Sequence, residues 1–426
     1  MSLLIKGASV VDPAQNLEEV RDLLLDGGKI AALEPPGTIP GEGRRVIEAQ
    51  GLVVTPGLID MHVHLREPGE EYKETIETGA RAAVAGGFTA VACMPNTKPV
   101  NDTASVTRFI LDQAAAAGLA RVYPVGAISM GSGGQNLSEY ADQKAAGVVA
   151  LSDDGHPVMN PLLMRRALEY ARTFGLPLIS HCEDLNLRAD GVMHEGRVSL
   201  ELGLRGIPAA VEEIMVFRDL ALAQLTGGRV HIAHVTAFGS VALIRQAKAA
   251  GLTVTAETAP HYFHLTEEAV RGYDTNAKVN PPLRTAQDVA AINEGLRDGT
   301  LDAIASDHAP HTSLEKDVEF QEAAFGLIGL ETSLGLSLKL VHDGVLTFKE
   351  LVAKMSTNPA RILGVPGGNL ALGAPADLTL IDLNREWTVD VAKFASKSRN
   401  CPFHGWTLKG KAVMTIVGGE IVSGEL

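Results

Sequence analysis

Eight short apolar runs, at 58–65, 89–94, 121–126, 148–152, 177–181, 230–234, 253–257 and 303–307, alternate with Ala-rich stretches of helical spacing. This alternation restricts the possible folds more than any other feature of the chain. Helical segments such as 74–85, 161–173, 209–224 and 240–250 fall in the gaps, as parallel βα units require, because each crossover between parallel strands must be long enough to hold a helix. Eight such units predict an α/β fold, a (βα)₈ TIM-like barrel. The flanks read differently. Leu3-Leu4-Ile5, Val10-Val11, Asp22-Leu23-Leu24-Leu25 and Val46-Ile47-Glu48 are short strand-like runs split by Asp26-Gly27-Gly28 and the Pro/Gly-rich 35–43, and the style returns at 376–382 and 412–417. The expected organisation is therefore a small composite β-domain from 1–54 and 365–426 around a barrel of 55–364.

Charge narrows the function classes. Lys+Arg 37 against Asp+Glu 51 gives a net charge of −14, so the surface repels nucleic acid and anionic membranes. No nucleic-acid or membrane partner is expected, and an anionic small substrate would need cations placed locally in the site. The three cysteines, Cys93, Cys182 and Cys401, form no CxxC pair, and their odd number argues against a disulfide framework. Met1 to Lys6 runs straight into strand-like sequence with no export signal, so the expected location is the reducing cytoplasm.

A barrel places its chemistry at the C-terminal ends of its strands and in the loops that follow. The polar residues of this chain obey that rule: His62 and His64 end the first run, Asn96 follows the second, Asp153-Asp154 the fourth, His181 ends the fifth and His234 the sixth. Asn280 lies in the loops after the seventh, and Asp307 and His311 follow the eighth. Residues at i and i+2 of a strand share a face, so His62 and His64 could hold one metal together. Four histidines, Asp307 and a carboxylate from Asp153-Asp154 are enough donors for two ions, about 3.5–4 Å apart and sharing a bridging hydroxide. Zinc suits an imidazole-rich donor set, with Co²⁺ and Mn²⁺ as the other candidates.

Blander readings stand beside these. Asp153-Asp154-Gly155 has the composition of an ordinary turn. His231 lies three residues from His234, so a regular strand would face the two oppositely, and His231 reads as a core residue or a support for a ligand. Asp60 would share the face of His62 one layer deeper, either orienting an imidazole or satisfied by backbone donors. Cys182 points away from His181 and is not read as a nucleophile. Gly86-Gly87 lacks the Lys-Ser/Thr of a phosphate loop. His156, His194, His264, His342 and His404 read as surface or structural histidines. The charged stretch 312–324 is either a mobile lid or a rigid surface loop.

In combination the motifs Asp60-Met61-His62-Val63-His64-Leu65-Arg66-Glu67-Pro68-Gly69, Met94-Pro95-Asn96-Thr97, Ser152-Asp153-Asp154-Gly155, His181-Cys182-Glu183, His231-Ile232-Ala233-His234-Val235, Val279-Asn280-Pro281-Pro282-Leu283-Arg284 and Ala305-Ser306-Asp307-His308-Ala309-Pro310-His311 with Lys316 span nearly the whole barrel. The chain resembles the bacterial class I dihydroorotases of the amidohydrolase superfamily. The resemblance implies two Zn²⁺ per chain, with His62, His64 and Asp307 on one, His181 and His234 on the other, and Asp154 bridging where many relatives use a carboxylated lysine. It implies a clamp of Arg66, Asn96 and His311 on the substrate carboxylate, and ring contacts from Asn280 and the Phe325-Gly326 backbone. It further implies reversible cyclisation of N-carbamoyl-L-aspartate to L-dihydroorotate in pyrimidine biosynthesis, with Asp307 carrying the proton. A homodimer is expected, with association with aspartate transcarbamoylase known among relatives; some of those have lost metal ligands, whereas this chain retains every matched one.

Overall fold

The computed structural model describes residues 2–424. One eight-stranded sheet joins the two ends of the chain in the order Glu420–Ser423, Thr407–Val417, Leu378–Thr388, Val53–Pro56, Leu3–Asp12, Leu17–Asp26 and Lys29–Glu34, with Arg45–Glu48 pairing parallel to Leu3–Asp12. Val53–Pro56 is the seam, antiparallel to Leu378–Thr388 with Thr55 opposite Thr379. Leu3, Ile5, Val10, Leu23, Leu25, Val54, Leu378, Leu380 and Ile416 pack into one apolar core.

The second sheet is the expected (βα)₈ barrel. Its strands, each beside its sequence neighbour, are Leu58–Val63, Phe88–Cys93, Arg121–Gly126, Ala150–Ser152, Leu178–Ser180, Val230–Ile232, Val254–Thr258 and Ala303–Ile304. The circle closes where Val63 bridges His308 and His64 N–H donates to the His308 carbonyl at 2.8 Å. Helices Ile76–Ala85, Pro161–Thr173, Ala210–Thr226 and Phe238–Ala249 occupy the predicted gaps. Local chemistry marks their starts: Thr75 caps the first through Thr78 N–H, and Asn160 caps the second, which opens on Pro161.

Two apolar layers place the site. Leu58, Val63, Phe88, Val91, Leu151, Leu178, Val230 and Ile304 pack outward against the helices. Inside, Met61, Ala92, Val125, Ala150, Ile179 and Ala303 cluster with Ile362 and Leu363. That cluster fills the lumen beneath the strand tips. Arg121 ties the barrel to the composite sheet through a two-pronged contact with Asp377, at 2.7 and 3.0 Å.

Several strands stop earlier than the sequence pattern predicts. Ladder pairing ends at Ile232 and at Ile304, and just beyond them His234 and Asp307 adopt φ of 34° and 49°. Left-handed backbone of this kind in a residue with a Cβ is costly, and it turns both side chains off the strand course. On the first strand the register shifts between Asp60 and Val63. Asp60 therefore does not sit beneath His62 as the regular pattern expects. Its carboxylate accepts from His62 N–H and Ser306 N–H, each at 3.1 Å, which is the backbone-satisfied alternative.

Candidate metal centre

The structure brings four imidazoles around Asp154. Asp154 Oδ1 lies 3.4 Å from His62 Nε2 and 3.5 Å from both His181 Nδ1 and His234 Nε2, while Oδ2 lies 3.5 Å from His64 Nε2. Asp307 Oδ1 approaches the same group, 3.3 Å from His64 Nε2 and 3.7 Å from His62 Nε2. Two triads with ligand spacing result, His62, His64, Asp154 and Asp154, His181, His234, and they share Asp154. The neighbouring Asp153 is excluded by its own bonds: it accepts from Ile128 N–H at 2.8 Å, Ser129 N–H at 3.1 Å and the Ser129 hydroxyl.

These donors fit divalent ions. His62 Nε2 and Asp154 Oδ1 are buried with no hydrogen-bond partner among the described residues, which for protein groups alone would be a desolvation cost. The far nitrogens of three imidazoles are held. His62 Nδ1 lies 2.7 Å from Glu257 Oε1, His64 Nδ1 2.9 Å from Asn96 Oδ1, and His181 Nε2 3.1 Å from Glu183 Oε2. A proton on each held nitrogen leaves the other lone pair facing Asp154, as a ligating imidazole needs.

Electrostatics follow from this crowding. Burial opposes the charge of Glu257, yet the His231 and His62 imidazoles hold its carboxyl down at about 2. Burial likewise opposes charge on Asp307, and the His64 and His62 imidazoles hold it well below the usual carboxylate range. Asp307 is thus ionised and, with its side chain 12% exposed against 0–6% for the imidazoles and Asp154, the most open of the group.

Beside the metal triads lie the residues expected to form the clamp. Arg66, with φ of 63°, is 8% exposed; its Nε donates to the Pro310 carbonyl at 3.2 Å and an NH2 lies 3.3 Å from His311 Nε2. His311 Nε2 also lies 2.9 Å from the Phe325 carbonyl, so its tautomer decides which contact forms. Asn96 Oδ1 is engaged by His64 Nδ1, which leaves Nδ2 as its donor. Gly326 is confined by its backbone: at φ of 131°, a Cβ would sit 2.7 Å from Ala309 Cβ. Its N–H donates to Lys278 O at 2.9 Å, and its carbonyl accepts from Lys316 Nζ at 3.0 Å and Asn400 Nδ2 at 3.1 Å. Asn280 Nδ2 donates to Glu183 at 3.2 Å.

Sequence reasoning missed Glu257, Glu183 and His261 as members of the site. Glu257 closes the predicted seventh run, so the strand-end rule applied to it too. It joins His62 to His231, whose Nε2 lies 3.3 Å from Glu257 Oε2 and whose Nδ1 lies 2.8 Å from Thr255 Oγ1. His231 is therefore a buried support, one of the two readings open to it. His261 sits in the turn of helix after the seventh strand, its Nε2 without a partner among the described residues, and burial pushes it down to about 4. Cys182 faces Ser180 and Asp219, away from the triads.

A sequence model of the amidohydrolase family matches residues 53–422. The chain belongs to the amidohydrolase family. Curated relatives include a dihydroorotase of Geobacter metallireducens, 59% identical with 99% of each chain covered, and one of Syntrophus aciditrophicus, 57% identical with 100% of each covered. Among solved structures, the L-hydantoinase of Arthrobacter aurescens superposes on this amidohydrolase with a TM-score of 0.88 at 27% identity, covering 100% of this chain and 97% of that one. The dihydropyrimidinase of Brevibacillus agri, 22% identical, shares the fold with a TM-score of 0.84 over 100% of this chain and 95% of its own. No helix of the described residues is long and apolar enough to cross a membrane.

Proposed function

We propose that this amidohydrolase is a dihydroorotase, interconverting N-carbamoyl-L-aspartate and L-dihydroorotate plus water in pyrimidine biosynthesis. The observation that carries the reading is Arg66. Its guanidinium is buried beside the metal triads, yet no carboxylate lies within ion-pairing distance of it among the described residues. A buried guanidinium lacking an anion is costly, and a substrate carboxylate resolves the cost with two parallel hydrogen bonds. The full-length dihydroorotase relatives support the same conclusion.

His62, His64, Asp154, His181, His234 and Asp307 would hold two divalent ions, zinc by donor chemistry, which when bound polarise the ring amide carbonyl and acidify the attacking water. The remaining work belongs to the chain. Arg66 takes the substrate carboxylate, with Asn96 Nδ2 and His311 completing its hydrogen bonds, while Asn280 and the Phe325-Gly326 segment line the ring. In the hydrolytic direction a C–O bond forms at the ring carbonyl and the C–N bond breaks. Asp307 accepts the nucleophile's proton and delivers it to the departing nitrogen. Cyclisation is the reverse, with water released. We assign this chemistry to a barrel of 55–364 and the composite β-domain to 1–54 and 365–426; three buried free cysteines suit a cytoplasmic enzyme.

The likeness to hydantoinase and dihydropyrimidinase structures raises a second reading, a cyclic amidase for neutral rings, and Arg66 separates the two. Turnover of dihydroorotate, dihydrouracil and allantoin by the purified protein decides between them. Dihydroorotate should be strongly preferred, and Arg66→Ala should cost about 2–5 kcal/mol in kcat/KM for it while changing a neutral ring little. Equal turnover of the neutral rings by the wild type would overturn the assignment.

A further inference from the structure

His181 and Asn280 arise from different strand tips, yet one carboxylate holds both. Glu183, 3% exposed, accepts at Oε2 from His181 Nε2 at 3.1 Å and Asn280 Nδ2 at 3.2 Å, and its Oε1 pairs with Arg188 Nε at 3.0 Å. The third partner is delivered by local sequence. Asp184 caps the one-turn helix Leu185–Arg188, accepting from Asn186 N–H at 2.9 Å and Leu187 N–H at 3.1 Å, and this turn carries Arg188 back over Glu183. The Arg188 guanidinium then lies 5.2 Å from the centre of the Phe325 ring.

An ionised carboxylate only accepts hydrogen bonds, so each neighbour must present a donor to it. For His181 this places the proton on Nε2 and leaves the Nδ1 lone pair towards Asp154. For Asn280 it sets which end of the amide faces Glu183: one Nδ2–H is committed there, and Oδ1 is turned away from Glu183 towards a ligand. Dihydroorotate carries N–H donors on both ring nitrogens. An acceptor at Asn280 matches them, whereas a donor would meet them with like polarity.

We propose that Glu183 is a positioning residue that couples metal binding to recognition of the substrate ring. One arm orients His181, a second fixes the Asn280 amide as an acceptor for a ring N–H, and a third holds Arg188 against Phe325. The proposal rests on the dihydroorotase reading above and adds to it the polarity of the ring contact.

The experiment compares Glu183→Gln, Glu183→Ala, Arg188→Met and the Glu183→Gln/Arg188→Met double variant of the full chain. It measures zinc affinity by chelator competition, melting temperature, and kcat and KM for dihydroorotate. Glutamine keeps an acceptor oxygen for His181 and Asn280 but has no charge for Arg188. Zinc affinity and kcat should then stay within a few-fold of wild type while KM rises roughly 10-fold, a rise that Arg188→Met reproduces and the double variant does not exceed. Alanine removes all three arms, so zinc affinity should fall about 10–100-fold along with the KM effect. A melting temperature lowered in Glu183→Gln with KM unchanged would reduce Glu183 to a structural residue and overturn the proposal, as would alanine binding zinc as tightly as glutamine. Failure of the wild type to turn over dihydroorotate would instead strike the parent reading, with the zinc comparison still testing the His181 arm.

Discussion

The composite sheet and the rim of the barrel solve opposite problems in one chain. In the sheet, strands run long, ten residues in Leu3–Asp12 and eleven in Thr407–Val417, and ladder bonds satisfy the backbone while Leu378, Leu380 and Ile416 are fully buried. At the rim the ladder lasts three residues in Ala150–Ser152 and two in Ala303–Ile304. Arg66, His234 and Asp307 sit there in left-handed backbone, and buried polar atoms stand without partners. The sheet accumulates stability from apolar burial, while the rim carries strain and desolvation for the sake of a ligand set.

If that contrast is right, damage at the rim removes activity without unfolding, and damage in the sheet does the reverse. The largest effect is expected from Asp154→Ala. It withdraws the negative charge at the centre of four imidazoles, so metal content should fall from near two per chain and turnover by a factor on the order of 10³ or more. Metal analysis beside a dihydroorotate assay reads both, and an active variant free of metal would break the comparison. Asp307→Asn should be milder and more selective. It keeps a ligand oxygen but accepts no proton, so metal should largely remain while kcat falls by about 10²–10⁴. Near-normal turnover would move the proton transfer elsewhere, His311 being the next residue to test.

Leu380→Ala sharpens the other side. Emptying a fully buried site in the sheet should cost about 2–5 kcal/mol in chemical denaturation, with kcat and metal content of the folded protein unchanged. A large loss of kcat would mean the two regions are mechanically coupled. The smallest effect concerns Glu331, outside both regions, which accepts from Ala395 N–H at 3.0 Å and Ser396 N–H at 3.1 Å and is pushed up to about 7 by burial. Its folded state holds a proton that the unfolded chain releases near the ordinary glutamate value. Stability from this group is therefore fully present at pH 4 and lost as pH rises through 7, by on the order of 1–3 kcal/mol. Glu331→Gln should flatten that pH dependence, gaining on wild type between pH 5 and 8. Parallel stability curves for the two would show that Glu331 releases its proton at the same pH in the folded and unfolded states.

Much of this contrast was legible before any coordinates. The eight-fold alternation required crossovers and hence a parallel barrel, and the strand-end rule selected His62, His64, His181, His234 and Asp307, because side-chain period and strand polarity are local properties of sequence. Adjacent residues were harder. Asp153 and Asp154 differ only in which way a turn aims them, and nothing local says that Ser129 and Ile128 will claim one and four imidazoles the other. Asp60 was misplaced by one face because a register shift between strands is a property of the pair.

What the sequence by itself determined is therefore the inventory and the frame: a barrel, a joined sheet, and a set of imidazoles and carboxylates at strand tips. Only the tertiary structure decided their states. Which nitrogens of His62 and His64 are free, which end of Asn280 is offered and why Arg66 lacks an anion depend on Glu257, Asn96, Glu183 and His311 arriving from elsewhere in the chain. Hydrogen-bond polarity is set by the partner within about 3 Å, and although His181 finds Glu183 two residues on, the partners of His62, His64 and Asn280 are chosen by the closure of the barrel.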